Sequence, residues 1–326
     1  MSGRTWTVVR SVGAVLILAV LVVRLGTGPF LDGVRSLGPG TLLLALAIGG
    51  GTTLVSAWRW RVVVAALGGS LAMPAATAAC YRSQFLNTAL PGGVLGDVDR
   101  GVRHGLDRGD LGRGIRSVVW ERMAGQIVQA SLALVVLLGV ASPLHAAMPL
   151  VATGAAAAVV LVLVGGRRLA RHGDGTVSRR LRAWAVEARS ALLGPDTWPP
   201  VLLTSVLAVT GYAGTFLLAA AAVGVPAAPE RVLPLAMVVL LAAAIPLNIA
   251  GWGAREGVSA WVFAAAGFGA STGTAVATAF GVLTVVATLP GLVVLVAGSR
   301  RRASGADPEP TTTAVGAARA EGSTDG

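Results

Sequence analysis

The sequence predicts an all-α, polytopic membrane protein, and three observations lead to that fold class. Of the 326 residues, 54% are hydrophobic and only 13% are charged, which is far from the composition of soluble domains. The hydrophobic residues form runs long enough to cross a hydrocarbon core about 30 Å thick. The net charge of +11 comes from arginines in short segments between those runs, as the positive-inside rule describes. We therefore expect about 6–8 transmembrane helices.

The same composition excludes several classes of function. Because the arginines alternate with apolar runs, they indicate membrane topology and not a nucleic-acid partner. Cys80 is the single cysteine, so an intramolecular disulfide is excluded, and His104, His145 and His172 lack the spacing of metal ligands. The chain has no lysine and therefore no Walker A nucleotide-binding loop. We expect no cofactor, no metal and no catalytic nucleophile.

The predicted crossings follow from the longest apolar runs. They lie at residues 12–23, 41–57, 117–140, 148–164, 201–223 and 272–298. Arg4 and Arg10 precede the first run, which predicts an uncleaved helix that starts in the cytoplasm. Residues 58–61, Trp-Arg-Trp-Arg, follow the second run, and we interpret them as an interfacial anchor at the inner surface.

Charge and composition divide the chain into one domain and a tail. Residues 1–302 form the predicted integral membrane domain, with cytoplasmic loops at 97–116 and 165–200, and residues 303–326 form a disordered cytoplasmic tail. Within the second loop, residues 177–193 fit an amphipathic helix on the inner leaflet as well as a solvated linker. We expect a bacterial inner membrane location, with the N-terminus and the C-terminus both cytoplasmic.

One segment interrupts the helical pattern sharply, at residues 74–96. Pro91 restricts Leu90 to extended conformations, so a helix that enters this segment should end near Leu90. Gly92 and Gly93 then allow a sharp turn. Unpaired backbone within a bilayer needs a protein-lined or water-filled cavity. Because arginine-rich segments flank both sides, we predict that this segment is re-entrant.

A second break is predicted at residues 244–257, where proline, asparagine, glycine and charge again occur together. Asn87 and Asn248 are the only asparagines of the chain, and each lies at one of the two breaks. Two interpretations fit residues 233–270: two short crossings, or a second re-entrant segment that starts outside. We favour the second, because it mirrors the first break and suggests an inverted repeat of the kind found in transporters.

Three motifs share their order and spacing with motifs of one membrane-protein family. The first comprises Asn87, Pro91, Gly92, Gly93, Gly96, Asp97 and Arg100, the second Glu121 and Arg122, and the third Pro246, Gly251, Gly253, Arg255 and Glu256. Over residues 10–300, this pattern resembles the lysylphosphatidylglycerol synthase transmembrane region, also called the flippase-like domain family. One departure is the single glycine before Asp97, where the family commonly has two.

The resemblance implies a multi-helix membrane domain with re-entrant segments. In aminoacyl-phosphatidylglycerol synthases this domain moves the modified lipid between leaflets, while a separate soluble domain attaches the amino acid. The resemblance therefore implies a stand-alone flippase-like protein that translocates an anionic lipid, whether a phospholipid, an aminoacylated phospholipid or a polyprenyl-phosphate-linked lipid. A separate lipid-modifying enzyme is one expected partner. The alternative function is an intramembrane transferase or a non-catalytic accessory subunit in polyprenyl-linked glycan or cell-envelope lipid synthesis.

A membrane route for an anionic headgroup needs cations that are neutralised when no lipid is bound. Arginine suits forked phosphate binding, carboxylates neutralise it, and asparagine suits glycerol or sugar hydroxyls. The predicted substrate-binding residues are Arg82, Asn87, Pro91, Gly92, Gly93, Asp97, Arg100, Glu121, Arg122, Gln126, Asn248, Gly251, Gly253, Arg255 and Glu256. The alternative is that these groups only pair with each other and hold the broken helices in register.

Two details of geometry accompany this prediction. Arg122, Gln126 and Gln129 recur at helical spacing, so this polar stripe should face the protein interior. Arg255 and Glu256 are neighbours that project about 100° apart on a helix, so we expect each to pair with another segment.

Overall fold

The computed structural model of the protein describes residues 22–23, 26–90, 93–139, 176–244, 248–249 and 252–303. Most of the predicted crossing at 12–23, the crossing at 148–164 and the tail beyond residue 303 fall outside the described residues. The described chain is helical apart from short connections and one two-residue ladder. The all-α prediction is therefore confirmed.

The helices are numbered in chain order. They are α1 (Gly28–Arg35), α2 (Pro39–Ala66), α3 (Met73–Ala89), α4 (Leu95–Asp107), α5 (Leu111–Gly139), α6 (Thr176–Leu193), α7 (Trp198–Val223), α8 (Pro229–Ala244), α9 (Ala254–Ala265) and α10 (Ala270–Ala303). Within the described part of the chain, four helices are long and apolar enough to cross a membrane, namely α2, α5, α7 and residues Ala270–Gly298 of α10. The chain is a polytopic helical membrane protein.

Helix α10 occupies the centre of the packing, where it contacts α1, α2, α3, α7 and α9. Phe280 of this helix lies 5.4 Å from Phe216 of α7, measured between ring centroids, and both side chains belong to the largest hydrophobic cluster among the described residues. Glycines allow the closest helix contacts. A Cβ atom on Gly291 would meet the carbonyl oxygen of Tyr81 in α3. Such close backbone approach is typical of helices packed within a membrane.

The first break follows the prediction made from Pro91, although Pro91 and Gly92 themselves lie outside the described residues. Helix α3 ends at Ala89, and Leu90 is extended with φ −100° and ψ 147°. Gly93 then has φ +62°, a left-handed conformation that favours glycine. Helix α4 begins at Leu95 and packs back against α3.

Residues 97–116, which were predicted as a cytoplasmic loop, are helical for most of their length, and their side of the membrane stays a prediction. Residues 95–107 form α4, and α5 starts at Leu111, six residues before the predicted crossing at 117. The reason is amphipathicity: Asp97, Arg100, Gly101 and Gly105 are buried along one face of α4. The arginine content indicated polarity, but the buried face determines that the segment is helical.

Residues 177–193 form helix α6, as the amphipathic-helix interpretation expects. The position of this helix on the inner leaflet stays a prediction. Glu187 of α6 accepts a hydrogen bond of 2.8 Å from Nε of Arg116 in α5. This ion pair connects α6 to the start of a candidate membrane-spanning helix.

The second break has a different construction from the first. Helices α8 and α9 contain 16 and 12 residues and pack against each other. Between them, β1 (Asn248–Ile249) pairs with β2 (Trp252–Gly253) in an antiparallel ladder. Gly253 has φ +121°, which strongly favours glycine. Re-entry of either broken segment into the membrane, and the inverted repeat, stay predictions.

Candidate functional site

Five charged side chains meet where α2, α4 and α5 approach each other. We call them the charge cluster: Arg59, Asp97, Arg100, Glu121 and Arg122. Glu121 lies at its centre and is only 2% exposed. Its Oε1 atom accepts a 2.9 Å hydrogen bond from Nε of Arg59, and its Oε2 atom accepts a 2.7 Å bond from Nη2 of Arg100. One carboxylate therefore holds two guanidinium groups.

Asp97 is the second anion of the cluster and lies in the first turn of α4. It forms an ion pair with Arg122, and its Oδ1 atom lies 3.3 Å from Nη2 of Arg100. Ser83 and Asn87 of α3 donate hydrogen bonds of 2.8 Å and 2.9 Å to its two oxygens. The carboxylate is thus bound by groups from α3, α4 and α5.

The break between α3 and α4 is what positions Asp97. The side-chain oxygen of Asn87 accepts a 2.8 Å hydrogen bond from the backbone N–H of Gly96. A Cβ atom on Gly96 would collide with the carbonyl oxygen of Ser83, so glycine allows α4 to start against α3. Asn87 of α3 therefore connects the two helices by donating one hydrogen bond to α4 and accepting another from it.

The cluster carries an excess of positive charge. Three guanidinium groups meet two carboxylates, which gives a net charge of +1. Arg59, Asp97, Arg100 and Glu121 are each buried and balance each other in charge, so the excess positive charge is that of Arg122, whose side chain is 45% exposed. Gly125 makes room for the cations, because a Cβ atom there would lie 3.2 Å from Nη2 of Arg59. Among the described residues that line this site, the cluster is short of one anion.

Two cavities meet at the ion pair of Asp97 and Arg122. The first measures about 40 Å³ and is enclosed by the charge cluster together with Ser56, Cys80, Ser83, Gln84 and Tyr212. It has room for water but not for a lipid headgroup. The second measures about 420 Å³, which is within the usual size of ligand pockets, and Asp97 and Arg122 line both.

We call the second cavity the groove. Its polar wall consists of Asp97, Arg122 and Gln126, and the side chain of Arg122 is 45% exposed. The remaining wall is mostly apolar and is formed by Gly93, Val94, Val98, Gly101, Ile115, Val118, Val119, Met123, Ala243 and Ala244. A cation beside an apolar surface is an arrangement that can hold an anion attached to a hydrocarbon chain.

A comparison of the sequence with protein-family profiles identifies the family of this chain. The sequence profile described as the lysylphosphatidylglycerol synthase TM region matches residues 8–291. The chain belongs to this family. No curated protein sequence matches the chain. The resemblance predicted from the three motifs is therefore confirmed at the level of the family.

In this member of the lysylphosphatidylglycerol synthase TM-region family, the predicted site residues separate into groups. Asn87, Asp97, Arg100, Glu121 and Arg122 come together, and Gly93 and Gln126 line the adjoining groove. Arg82 lines neither cavity. Its Nη2 atom instead donates a 2.8 Å hydrogen bond to Asp99 of α4. Gly251 and the side chain of Asn248 lie outside the described parts of the chain.

The expectation that Arg255 and Glu256 each pair with another segment was wrong for Glu256. Nε of Arg255 donates a 3.0 Å hydrogen bond to Glu256, and the other carboxylate oxygen of Glu256 accepts a 2.7 Å bond from the N–H of Gly253. Glu256 is the third residue of α9, so its carboxylate folds back onto the helix start. The guanidinium of Arg255 lies 5.5 Å from the ring of Phe280 in α10. This pair clasps the second break against α10 and lines neither cavity.

The interpretation of residues 58–61 as a surface anchor was also wrong for its central residues. Arg59 is part of the charge cluster, and Trp60 is 1% exposed and donates a 3.0 Å hydrogen bond to Ser117. The spacing of polar residues along α2 could have predicted that Arg59 is buried. Thr52, Ser56 and Arg59 lie at i, i+4 and i+7 on α2, and all three are buried.

The polar stripe of α5 faces the protein only in part. Nε2 of Gln129 donates a 2.9 Å hydrogen bond to the carbonyl oxygen of Leu240 in α8, as expected for an interior position. Arg122 and Gln126 instead line the groove, and both are exposed. Glu121, next to the stripe, is the residue that reaches the buried centre. The stripe therefore marks the wall of an accessible groove and not a sealed interior.

Proposed function

We propose that this protein binds an anionic lipid in the groove and helps its headgroup move between the leaflets of the membrane. The excess positive charge of the cluster supports this most directly, because it reaches the groove through Arg122. A phosphate-bearing headgroup supplies the missing negative charge, and the apolar wall suits the attached hydrocarbon chain. Membership of the lysylphosphatidylglycerol synthase TM-region family is consistent with a role in lipid handling.

Headgroup binding is proposed to occur by partner exchange at Arg122. The guanidinium of this residue pairs with Asp97 at the border of the two cavities. A phosphate in the groove replaces Asp97 there and accepts two parallel N–H bonds. Asp97 keeps Arg100, Ser83 and Asn87 as partners during the exchange. Neither charge is left uncompensated, so the exchange avoids the large cost of a lone buried ion.

Passage beyond the groove requires a movement of the helices, because the 40 Å³ cavity is too small for a headgroup. Helix α4 is the proposed moving element. It is flanked by Gly93 and Gly109, which have φ +62° and +69°. Such residues at the ends of a short helix suit the backbone changes of a hinge. Passage would be passive or coupled to an ion gradient.

We place the protein in the bacterial inner membrane, with both termini in the cytoplasm, and with a separate lipid-modifying enzyme as a candidate partner. The transferase alternative would use Asp97 or Glu121 as a base. Both carboxylates are engaged by arginines, which makes them poor proton acceptors. Lipid movement without catalysis is the function that this arrangement supports better.

The proposal is tested with purified protein in phosphatidylcholine vesicles that contain a trace of fluorescent phosphatidylglycerol. Exchange between leaflets is measured as the fraction of label that a membrane-impermeant quencher reaches over time. The wild-type protein should accelerate exchange relative to protein-free vesicles. Arg122→Gln should slow it by about tenfold or more, since one charge-assisted phosphate contact accounts for at least that factor.

Arg103→Gln is the matched control, because Arg103 pairs only with Asp99 among the described residues and does not line the groove. This variant should exchange lipid at the wild-type rate. Equal rates of lipid exchange in vesicles with the wild-type protein and in protein-free vesicles would refute the proposed function. An exchange rate in Arg122→Gln equal to that of the wild-type protein would refute the role of the groove. Turnover of a lipid-linked sugar without exchange would support the transferase instead.

A further inference from the structure

A second polar cavity lies at the other end of α4. It measures about 330 Å³ and is bounded by the end of α2, the turn at residues 67–70, the end of α4 and the start of α5. We call it the basic pocket, and its polar side chains are Ser70, His104, Arg108, Asp110, Arg113 and Ser117. Its volume lies at the lower end of the range for small-molecule sites, so it suits a headgroup and not a whole lipid.

Positive charge prevails in the basic pocket, and each of its arginine side chains contacts a neighbouring polar group. Nη2 of Arg108 donates a 2.6 Å hydrogen bond to the carbonyl oxygen of Ser70. Nε of Arg113 lies 3.3 Å from a carboxylate oxygen of Asp110. Each guanidinium has five N–H donors, so these contacts leave donors for a ligand. With His104 neutral the pocket side chains sum to +1, and with His104 protonated they sum to +2.

The basic pocket is distinct from the charge cluster, and Trp60 lies between them. The Trp60 ring centroid lies 5.3 Å from that of His104, and the guanidinium carbon of Arg100 lies 4.6 Å from the Trp60 ring. The two cavities share no lining residue among those described. A ligand in the basic pocket would therefore occupy a separate site on the same helix, α4.

We propose that the basic pocket binds a phosphate group and forms a second anion site. Two guanidiniums and an imidazole are donors of the kind that recognise phosphate oxygens. The pocket lies at the end of α2 and the start of α5, both candidate spans, and the ends of membrane-spanning helices generally lie near the lipid headgroups. The ligand is a lipid phosphate or a free phosphate ion. This site does not depend on the proposed lipid movement.

His104 provides a direct readout of occupancy. Burial and the charge of Arg108 lower the pKa of His104, Arg100 lowers it further, and Asp107 opposes them. Asp110 and Arg113 also line the pocket. A bound phosphate favours the charged imidazolium, so binding must raise the pKa of His104. The resonance of His104 is assigned with His104→Gln, since His145 and His172 are also present.

The test is an NMR titration of the full chain in maltoside micelles, which contain no phosphate. Inorganic phosphate is added in one series and dioctanoyl phosphatidylglycerol in another. A raised His104 pKa with inorganic phosphate identifies a free phosphate site, and a rise with the lipid alone identifies a headgroup site. No rise with either ligand overturns the proposal.

Variants separate binding in the pocket from a general effect of salt. Arg108→Gln and Arg113→Gln should each weaken the apparent affinity about tenfold. Arg103→Gln lies on the same helix but outside the pocket and should titrate like the wild type. An unchanged affinity in both pocket variants, or an equal loss in the Arg103 variant, overturns the assignment.

Discussion

At the scale of residues, Glu121 determines whether the charge cluster is stable. It accepts hydrogen bonds from Arg59 and Arg100 while only 2% of its surface remains exposed. Glu121→Gln would leave two buried guanidiniums without their shared anion. Removal of one partner from a buried ion pair typically costs about 3–5 kcal/mol. We expect a loss of that order in the free energy of unfolding, measured by thermal or denaturant unfolding in detergent.

Glu187→Gln is the control for this prediction, because Glu187 pairs with Arg116 at a partly exposed site. Exposed ion pairs contribute about 0–1 kcal/mol, so this variant should unfold close to the wild type. Equal destabilisation by the two substitutions would show that Glu121 does not have a central electrostatic role.

Individual residues also show what sequence alone can and cannot reveal. Asn87, Asp97 and Glu121 were predicted as polar groups of the site because they are unusual in an apolar chain. Arg59 was missed, since tryptophans on both sides made it resemble an interfacial anchor. The distinction depends on which face of α2 is buried, and neighbouring residue types do not specify it. The partners of Glu256 depend likewise on how its carboxylate folds back onto the start of α9.

At the scale of elements, close helix contact at α10 depends on Gly291. Gly291→Ala would place a methyl group against the carbonyl oxygen of Tyr81, so α3 and α10 must separate. Overpacking of this kind costs about 1–3 kcal/mol. The expected result is a lower midpoint of thermal unfolding in detergent. Loss of α3 packing should also reduce lipid exchange, because α3 carries Asn87 and Ser83.

Gly298→Ala supplies the matched substitution on the same helix, since nothing lies within 4 Å of a Cβ atom there. Alanine is the better helix former by about 1 kcal/mol, so this variant should be as stable as the wild type or slightly more stable. A Gly291 variant that is as stable as the Gly298 variant would contradict the close contact between α3 and α10.

Elements were predictable to different degrees. The end of α3 near Leu90 was predictable, because the effect of a following proline on backbone conformation is local. Helix α4 was not predicted, because its arginines suggested a loop and the burial of Asp97 and Arg100 needs partners distant in sequence. Local chemistry determines where a helix breaks, whereas tertiary contacts determine the conformation of the next segment.

At the scale of the whole molecule, the two breaks have separate roles. The first break lies beside the charge cluster and borders the groove. At the second break, Arg255 pairs with Glu256 and packs against Phe280 of α10. Of the residues of this region that the structure describes, only Ala243 and Ala244, at the end of α8, line the groove. A site shared by charged groups of both breaks, as the sequence suggested, is therefore not present in the described residues.

The central claim is that a net positive charge beside an apolar groove selects anionic lipids. Its most direct test is the rate of leaflet exchange for two fluorescent lipids with identical acyl chains, phosphatidylglycerol and phosphatidylcholine, in the same proteoliposomes. We predict faster exchange of phosphatidylglycerol by the wild-type protein and loss of that preference in Arg122→Gln. Equal rates for the two lipids with the wild-type protein, or a preference that survives in the variant, would contradict it.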